Sequence, residues 1–110
     1  MASISQKNIV PGIVLTAAAV VYHTAPVLTR ERITNATITN DTAGVVAATV
    51  HIVPMGGGAA TANKKISARN IAPGETYCCP ELVNRVLEPG DTIQALGLGL
   101  ALDVSAFTQS

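Results

Sequence analysis

Apolar residues recur at every second position over much of this chain, and the stretches between them are rich in Gly, Pro, Asn and Asp. Period-two alternation marks a strand with one buried face. It is clearest over residues 30–42, where Thr34, Ala36 and Ile38 fall on one face and Ile33, Asn35, Thr37 and Thr39 on the other. The turn-forming run Asn40-Asp41-Thr42-Ala43-Gly44 follows. Residues 45–54 then place Val46, Ala48, Val50 and Ile52 inward, with Ala47, Thr49, His51 and Val53 opposite. The two segments read as a hairpin closed by Pro54. Residues 13–24 read as one strand with two nearly apolar faces, Leu15, Ala17, Ala19 and Val21 against Val14, Thr16, Ala18, Val20 and Tyr22. Such a strand is buried on both sides or gives one face to an interface. Further strands are predicted over 64–71, with Ile66 and Ala68 on one face, over 91–96, and over 98–107. In the last, Leu98, Leu100, Leu102, Val104 and Ala106 alternate with smaller residues and Phe107 plugs the core. Gly97 and Gly99 mark a bulge or a close backbone approach.

Residues 71–93 carry one turn twice, as Ala72-Pro73-Gly74-Glu75-Thr76 and Glu88-Pro89-Gly90-Asp91-Thr92. Pro fixes φ at the second turn position and Gly supplies φ > 0 at the third, the type II signature. Between the turns, Leu82, Val83, Val86 and Leu87 recur at helical spacing, which predicts a short helical turn near residues 80–87. A β-sandwich crosses between its sheets with such turns. About seven or eight short strands at this spacing predict an all-β fold, a single antiparallel β-sandwich of jelly-roll or immunoglobulin-like type. Residues 1–12 read as an N-terminal arm and residues 13–110 as the sandwich domain. The loop 55–63, with three consecutive glycines, lacks the Gly-Lys-Ser/Thr ending and the strand–helix flanks of a phosphate loop.

Composition narrows the function. Only 13% of the 110 residues are charged, seven basic against seven acidic, so no electrostatic footprint for nucleic acid or an anionic membrane exists. Aromatic residues are 3% and Trp is absent, which removes stacking platforms for bases or sugars. The hydrophobic share, 48%, comes largely from Ala and Val. A soluble surface ordinarily carries more charge, so part of this one is expected to be covered by a partner or by further copies. The apolar run 9–22 is broken by Pro11-Gly12 and is too short to span a bilayer, and it reads as strand.

Candidate chemistry is sparse. Cys78 and Cys79 are adjacent, point to opposite faces of a strand and do not suit a disulfide; one reads as buried and one as partly exposed. His23 and His51 are lone residues without ligand spacing, so no metal is expected. Glu75 and Asp91 read as turn residues rather than an acid–base pair. A triad would need His23 or His51 beside Ser67 or Ser105, and no nucleophile elbow appears. No catalytic, cofactor-binding or metal-binding residue is assigned, and the chain is not read as an enzyme.

The run ITNATITNDTAGVVAATVHIVP, the triple-glycine loop and the stretch IAPGETYCCPELVNRVLEPGDTI resemble small virion structural proteins of tailed bacteriophages, most closely the capsid cementing (decoration) proteins. The resemblance covers about residues 13–107 and implies a non-enzymatic protein on the outside of an icosahedral head. It further implies contacts that bridge major capsid protein subunits, and stabilisation of the shell. The expected partners are the major capsid protein and further copies, as a dimer or trimer, with no nucleic acid and no membrane. The location is the virion, assembled in the host cytoplasm, which suits unpaired thiols. Another virion part, a tail or head-fibre component, is the alternative; a ligand-binding sandwich fits less well, with only Tyr22, Tyr77 and Phe107 as aromatics. The interface is placed on the arm, at Ile4, Ile9 and Val10, and on one face of the following strand, at Val14, Val20 and Tyr22.

Overall fold

Both Pro-Gly turns are corners that carry the chain from one sheet to the other. The computed structural model describes residues 4–109. Among the described residues the strands are β1 (Ile4–Val14), β2 (Val20–Thr24), β3 (Arg30–Asn40), β4 (Val46–Val53), β5 (Lys64–Ile71), β6 (Thr76–Tyr77), β7 (Val86–Leu87), β8 (Thr92–Leu96) and β9 (Leu100–Gln109). One sheet has the order β1-β9-β3-β6, with β7 also on β3; the other has the order β2-β8-β4-β5. Every pair is antiparallel. β6 lies opposite Ile38 and Thr39 and β7 opposite Glu31 and Arg32, so they are two halves of one interrupted strand. Counted so, the first strand pairs with the last, the second with the seventh, the third with the sixth and the fourth with the fifth. This winding is the jelly roll, and it decides between the two sandwiches that the alternation allowed.

The pairing continues through the corners. Where β1 passes to β2, the Leu15 amide donates to the Leu100 carbonyl at 2.7 Å and the Leu15 carbonyl accepts from the Gly99 amide at 3.1 Å. Where β2 passes to β3, Ala25 donates to Asp91 at 2.8 Å and accepts from Gly90 at 3.0 Å. At the end of β3, Asn40 donates to Glu75 at 2.9 Å and accepts from Gly74 at 2.7 Å. Gly74 and Gly90 have φ of +79° and +87°, as the type II turns require. Each turn is also closed by its own carboxylate: Glu75 Oε1 accepts from the Ala72 amide, and Asp91 Oδ2 accepts from the Glu88 amide. The duplicated motif therefore does one job twice.

The core lies between the sheets and is built from Ile33, Ile38, Val50, Ile71, Ile93, Leu100, Leu102 and Val104, with Ala36, Ala48, Ala95 and Ala106 filling between them. Two of the buried polar residues, one near each end of β3, fasten it. Asn40 is fully buried and satisfied: its Nδ2 donates to the carbonyls of Gly44 and Ile71, and its Oδ1 accepts from the Thr42 amide and hydroxyl. Buried Glu31, on β3, accepts a hydrogen bond from His23 Nε2, on β2, which ties the two sheets at the opposite end.

Several expectations need correction. Residues 30–40 and 46–53 form no hairpin; they lie in different sheets, because Asn40 seizes the chain and turns it. The strand expected over 13–24 is interrupted at 15–19, where the chain changes sheet. A register shift between Ile33 and Asn35 moves the alternation by one, so Ile33 and Ala36 are both buried and Thr34 is not. A similar shift leaves Ala68 exposed at φ +48°, its amide donating to Thr49 Oγ1. Thr49, His51 and Val53 are buried on what was to be the outer face, since the 54–63 loop folds back: His51 Nδ1 donates to Asn63 Oδ1 at 2.7 Å. Residues 80–84 make tight turns rather than helix, ended by Asn84 at φ +70°, and Val86 is strand. Phe107 is no plug. It faces outward, and the Arg32 guanidinium lies 5.6 Å from its ring centre.

Because Asn40 fastens β3, the 41–45 corner and β5 together, Asn40→Ala removes the buried donor to the Ile71 carbonyl and the acceptor of the Thr42 amide, while the Gly44 carbonyl keeps the Thr42 hydroxyl as a donor. The unfolding free energy falls by about 2–4 kcal/mol. Urea unfolding followed by circular dichroism measures it, and an unchanged midpoint would refute the role given to this amide.

Candidate interaction surface

Four short connections meet at one end of the sandwich: residues 15–19, 41–45, 72–75 and 97–99. They abut one another. Gly97 donates to the Thr16 carbonyl at 3.0 Å, and a Cβ on Gly99 would lie 2.7 Å from the Thr42 methyl. This packing needs glycine at 97 and 99, where φ is +147° and +86°. The side chains left pointing outward are mostly apolar. Val14 is 63% exposed, Val20 42%, Val45 61% and Leu98 66%. Ala17, Ala18, Ala19 and Ala43 lie among them, all exposed. The only charged residues in the four connections are Asp41 and Glu75, and Glu75 is bonded back to its own turn. The four connections of this tip thus expose mostly apolar side chains, with one free carboxylate and no basic residue, the composition of an interface core.

The sequence-derived interface residues are placed as follows. Ile4 begins β1, opposite Gln109. Ile9 and Val10 are buried core residues, 7% and 0% exposed, because register shifts on either side of Val10 turn both toward the sandwich interior. Tyr22 is half-buried against the core. Val14 and Val20 lie on the tip, brought together by a sheet crossing rather than by sharing a strand face. Residues 4–12, read as an arm, pair with β9 as part of β1; residues 1–3 lie outside the described residues. Leu98 and Val45 were missed. Their signal was an apolar residue set between or just after glycines, where a turn ordinarily carries a polar one.

The two histidines and the two cysteines lie elsewhere. His23 bonds Glu31 and His51 bonds Asn63. Among the described residues no three His, Cys, Asp or Glu side chains converge as a metal site. Cys78 is exposed and Cys79 buried, as the sequence implied. Burial, then the charge of Glu81 and the neighbouring Cys78, push the Cys79 thiol up to about 12. Tyr77 donates to Glu81 at 2.6 Å, and Arg69 lies 4.2 Å over its ring, closing the open side of the sandwich between β5 and β6. Burial, the hydrogen bond to Glu81 and that carboxylate's charge push the phenol up to about 12 as well, with Arg69 opposing.

No family profile matches the chain, and no curated protein matches it. Among solved structures it is similar to a chain of the infectious bursal disease virus Gx strain, with a TM-score of 0.54 and 12% identity over 100% of this chain and 32% of that one. It is also similar to the chain of the infectious bursal disease virus VP2 subviral particle, with a TM-score of 0.51 and 7% identity over 98% of this chain and 32% of that one. The chain spans about a third of the length of the chains it matches. At these identities the likeness is one of fold.

The thiol environment gives a direct test. At pH 8 a thiol reagent titrates one group per native chain, Cys78, and the second only after unfolding. Since the Cys79 thiol ordinarily ionises near 9.0 and in the folded chain near about 12, folding favours its protonated form. That stability is complete below pH 9 and is lost as pH rises toward 12. The urea midpoint therefore falls above pH 9, and Cys79→Ala flattens the first part of the fall, before Tyr77 contributes. Two thiols titrating in the native chain at pH 8 would contradict this placement.

Proposed function

We propose that this chain is a structural protein of a virus particle, a decoration or cement subunit that sits outside a phage capsid and bridges major capsid protein subunits. The observation that carries the reading is the apolar tip. Val14 and Val20 end strands and Val45 and Leu98 stand on short connections hydrogen-bonded across the tip, so docking them orders no long loop and costs little conformational entropy. Burying such side chains is favourable by about 25 cal/mol per Å². A surface held permanently in water has no use for them; a repeated, lasting contact does. The fold supports the same reading, because jelly rolls are a common architecture of viral capsid domains and the similar chains named above come from a virus and from a subviral particle.

The test is addition of the purified protein to particles that lack it. The wild-type chain binds saturably and raises the temperature at which particles rupture. Leu98→Asp puts a charge on the tip at an exposed position outside the buried core. It leaves the melting temperature of the free domain within a few degrees and weakens particle binding by about tenfold or more. Wild-type chain that fails to co-sediment with particles would end the reading.

A further inference from the structure

At the end of the molecule away from the tip, the outer face of the β1-β9-β3 sheet holds a trough. Its larger part, about 330 Å³, is lined by Arg30, Arg32, Val86, Phe107 and Gln109. A second hollow shares Arg30 and Gln109 and continues to Leu28 and Pro89. Cross-strand pairing builds it: Arg32 lies between Val86 on β7 and Phe107 on β9, and Arg30 opposite Gln109. Leu28 is 84% exposed, and Val86 and Phe107 are also exposed. The two arginines differ. Arg30 Nε donates to Glu88 at 2.8 Å. Arg32 has no carboxylate partner among the described residues, and its guanidinium is set against the Phe107 ring. The trough therefore sets apolar Val86 and Phe107 beside one positive charge without a carboxylate partner, in cation–π range of the Phe107 ring.

The tip has the complementary make-up. Its floor is apolar and its one unspent charge is the exposed carboxylate of Asp41, four residues before exposed Val45. Tip and trough lie at opposite ends of a molecule 49 Å long, so one chain cannot satisfy both. We infer that the tip of one copy docks in the trough of the next, with Asp41 on Arg32 and Leu98 and Val45 against Phe107, Val86 and Leu28. This deepens the reading above, on which it rests, by making a second copy of the chain the neighbour that covers Leu98 and Val45, so that the assembled copies, rather than single ones, engage the particle. The contact joins different surfaces of the two copies, so it propagates head to tail and closes only as a ring. Because the two surfaces lie at opposite ends of the molecule, successive copies follow one another end to end, around an axis where the ring closes.

Sedimentation velocity over a wide concentration range tests it. The wild-type chain self-associates, less so as salt rises. Asp41→Arg and Arg32→Glu, both at exposed positions, each weaken association by about tenfold or more, and the double variant recovers most of the loss. Unchanged melting curves separate this from misfolding. A wild-type chain that stays monomeric throughout, single variants that associate as well as wild type, or a double variant without recovery would each overturn the contact. Binding of the same proteins to particles is scored separately. Retained particle binding with a failed charge exchange removes this contact and leaves the structural role standing; lost wild-type binding removes the role itself.

Discussion

Three buried residues, Leu15, Ala25 and Asn40, carry the chain across between the sheets, and at each of them both backbone polar groups are bonded to the strand or turn making the return crossing. A corner inside a sandwich ordinarily breaks the ladder and leaves amides and carbonyls without partners, each costing about 1–3 kcal/mol if it stays buried. Here the chain behaves as a two-stranded ribbon that bends at three places without unzipping. Because the bends keep paired segments together, the inner face of the ribbon stays inner on both sheets. The apolar alternation of every strand is then directed to one core. The fold depends on this continuity more than on any single packing contact.

The parts legible in the sequence are those that local chemistry dictates. Pro-Gly followed by an acidic residue can form only a few turns, and both copies serve as the crossings expected of them. Alternation gave most inward positions of β4 and β9 correctly. What the alternation alone could not carry is the partner of each strand. Whether Asn40 ends a hairpin or a sheet crossing depends on Ile71 and Gly74, more than thirty residues away. The shifts at Thr34 and Ala68 likewise exist only against a neighbouring strand. Phe107 is a different case. Leu100, Leu102, Val104 and Ala106 already place it outward, and only its rarity as an aromatic suggested the core. The tip was half legible: Val14 and Val20 were singled out on a wrong strand, while Ile9 and Val10 looked like anchors because the bulges that turn them inward leave no local mark.

The thinness of the molecule follows from the same composition. With Ala36, Ala48, Ala95 and Ala106 set among the Ile and Leu side chains of the interior and no buried Phe or Trp, the sheets close on one another, and the shortest dimension is 19 Å. A thin sandwich has a large surface for its volume, and this one has only fourteen charged residues to cover it. The charges that exist are partly committed internally, as in Glu31 with His23 and in the two turn carboxylates. The outer surface is left with apolar and small polar groups in most places and with a few unpaired charges whose positions therefore matter.

The two Pro-Gly corners separate what the fold requires from what the surface is for. Both make the same type II turn, both close it with a carboxylate, and both lock onto a buried residue of the opposite crossing. Yet the corner remote from the tip opens with Glu88, which reaches Arg30, while the one at the tip opens with Ala72. The turn is indifferent to the choice, because neither side chain takes part in it. The same holds for Leu98, whose flanking glycines set the backbone while its own side chain touches water, and for Val45 after Gly44. Polar residues at these positions would fold as well and dissolve better. Apolar side chains where the fold asks for none are what the proposed function accounts for, since a neighbour on the particle would bury them.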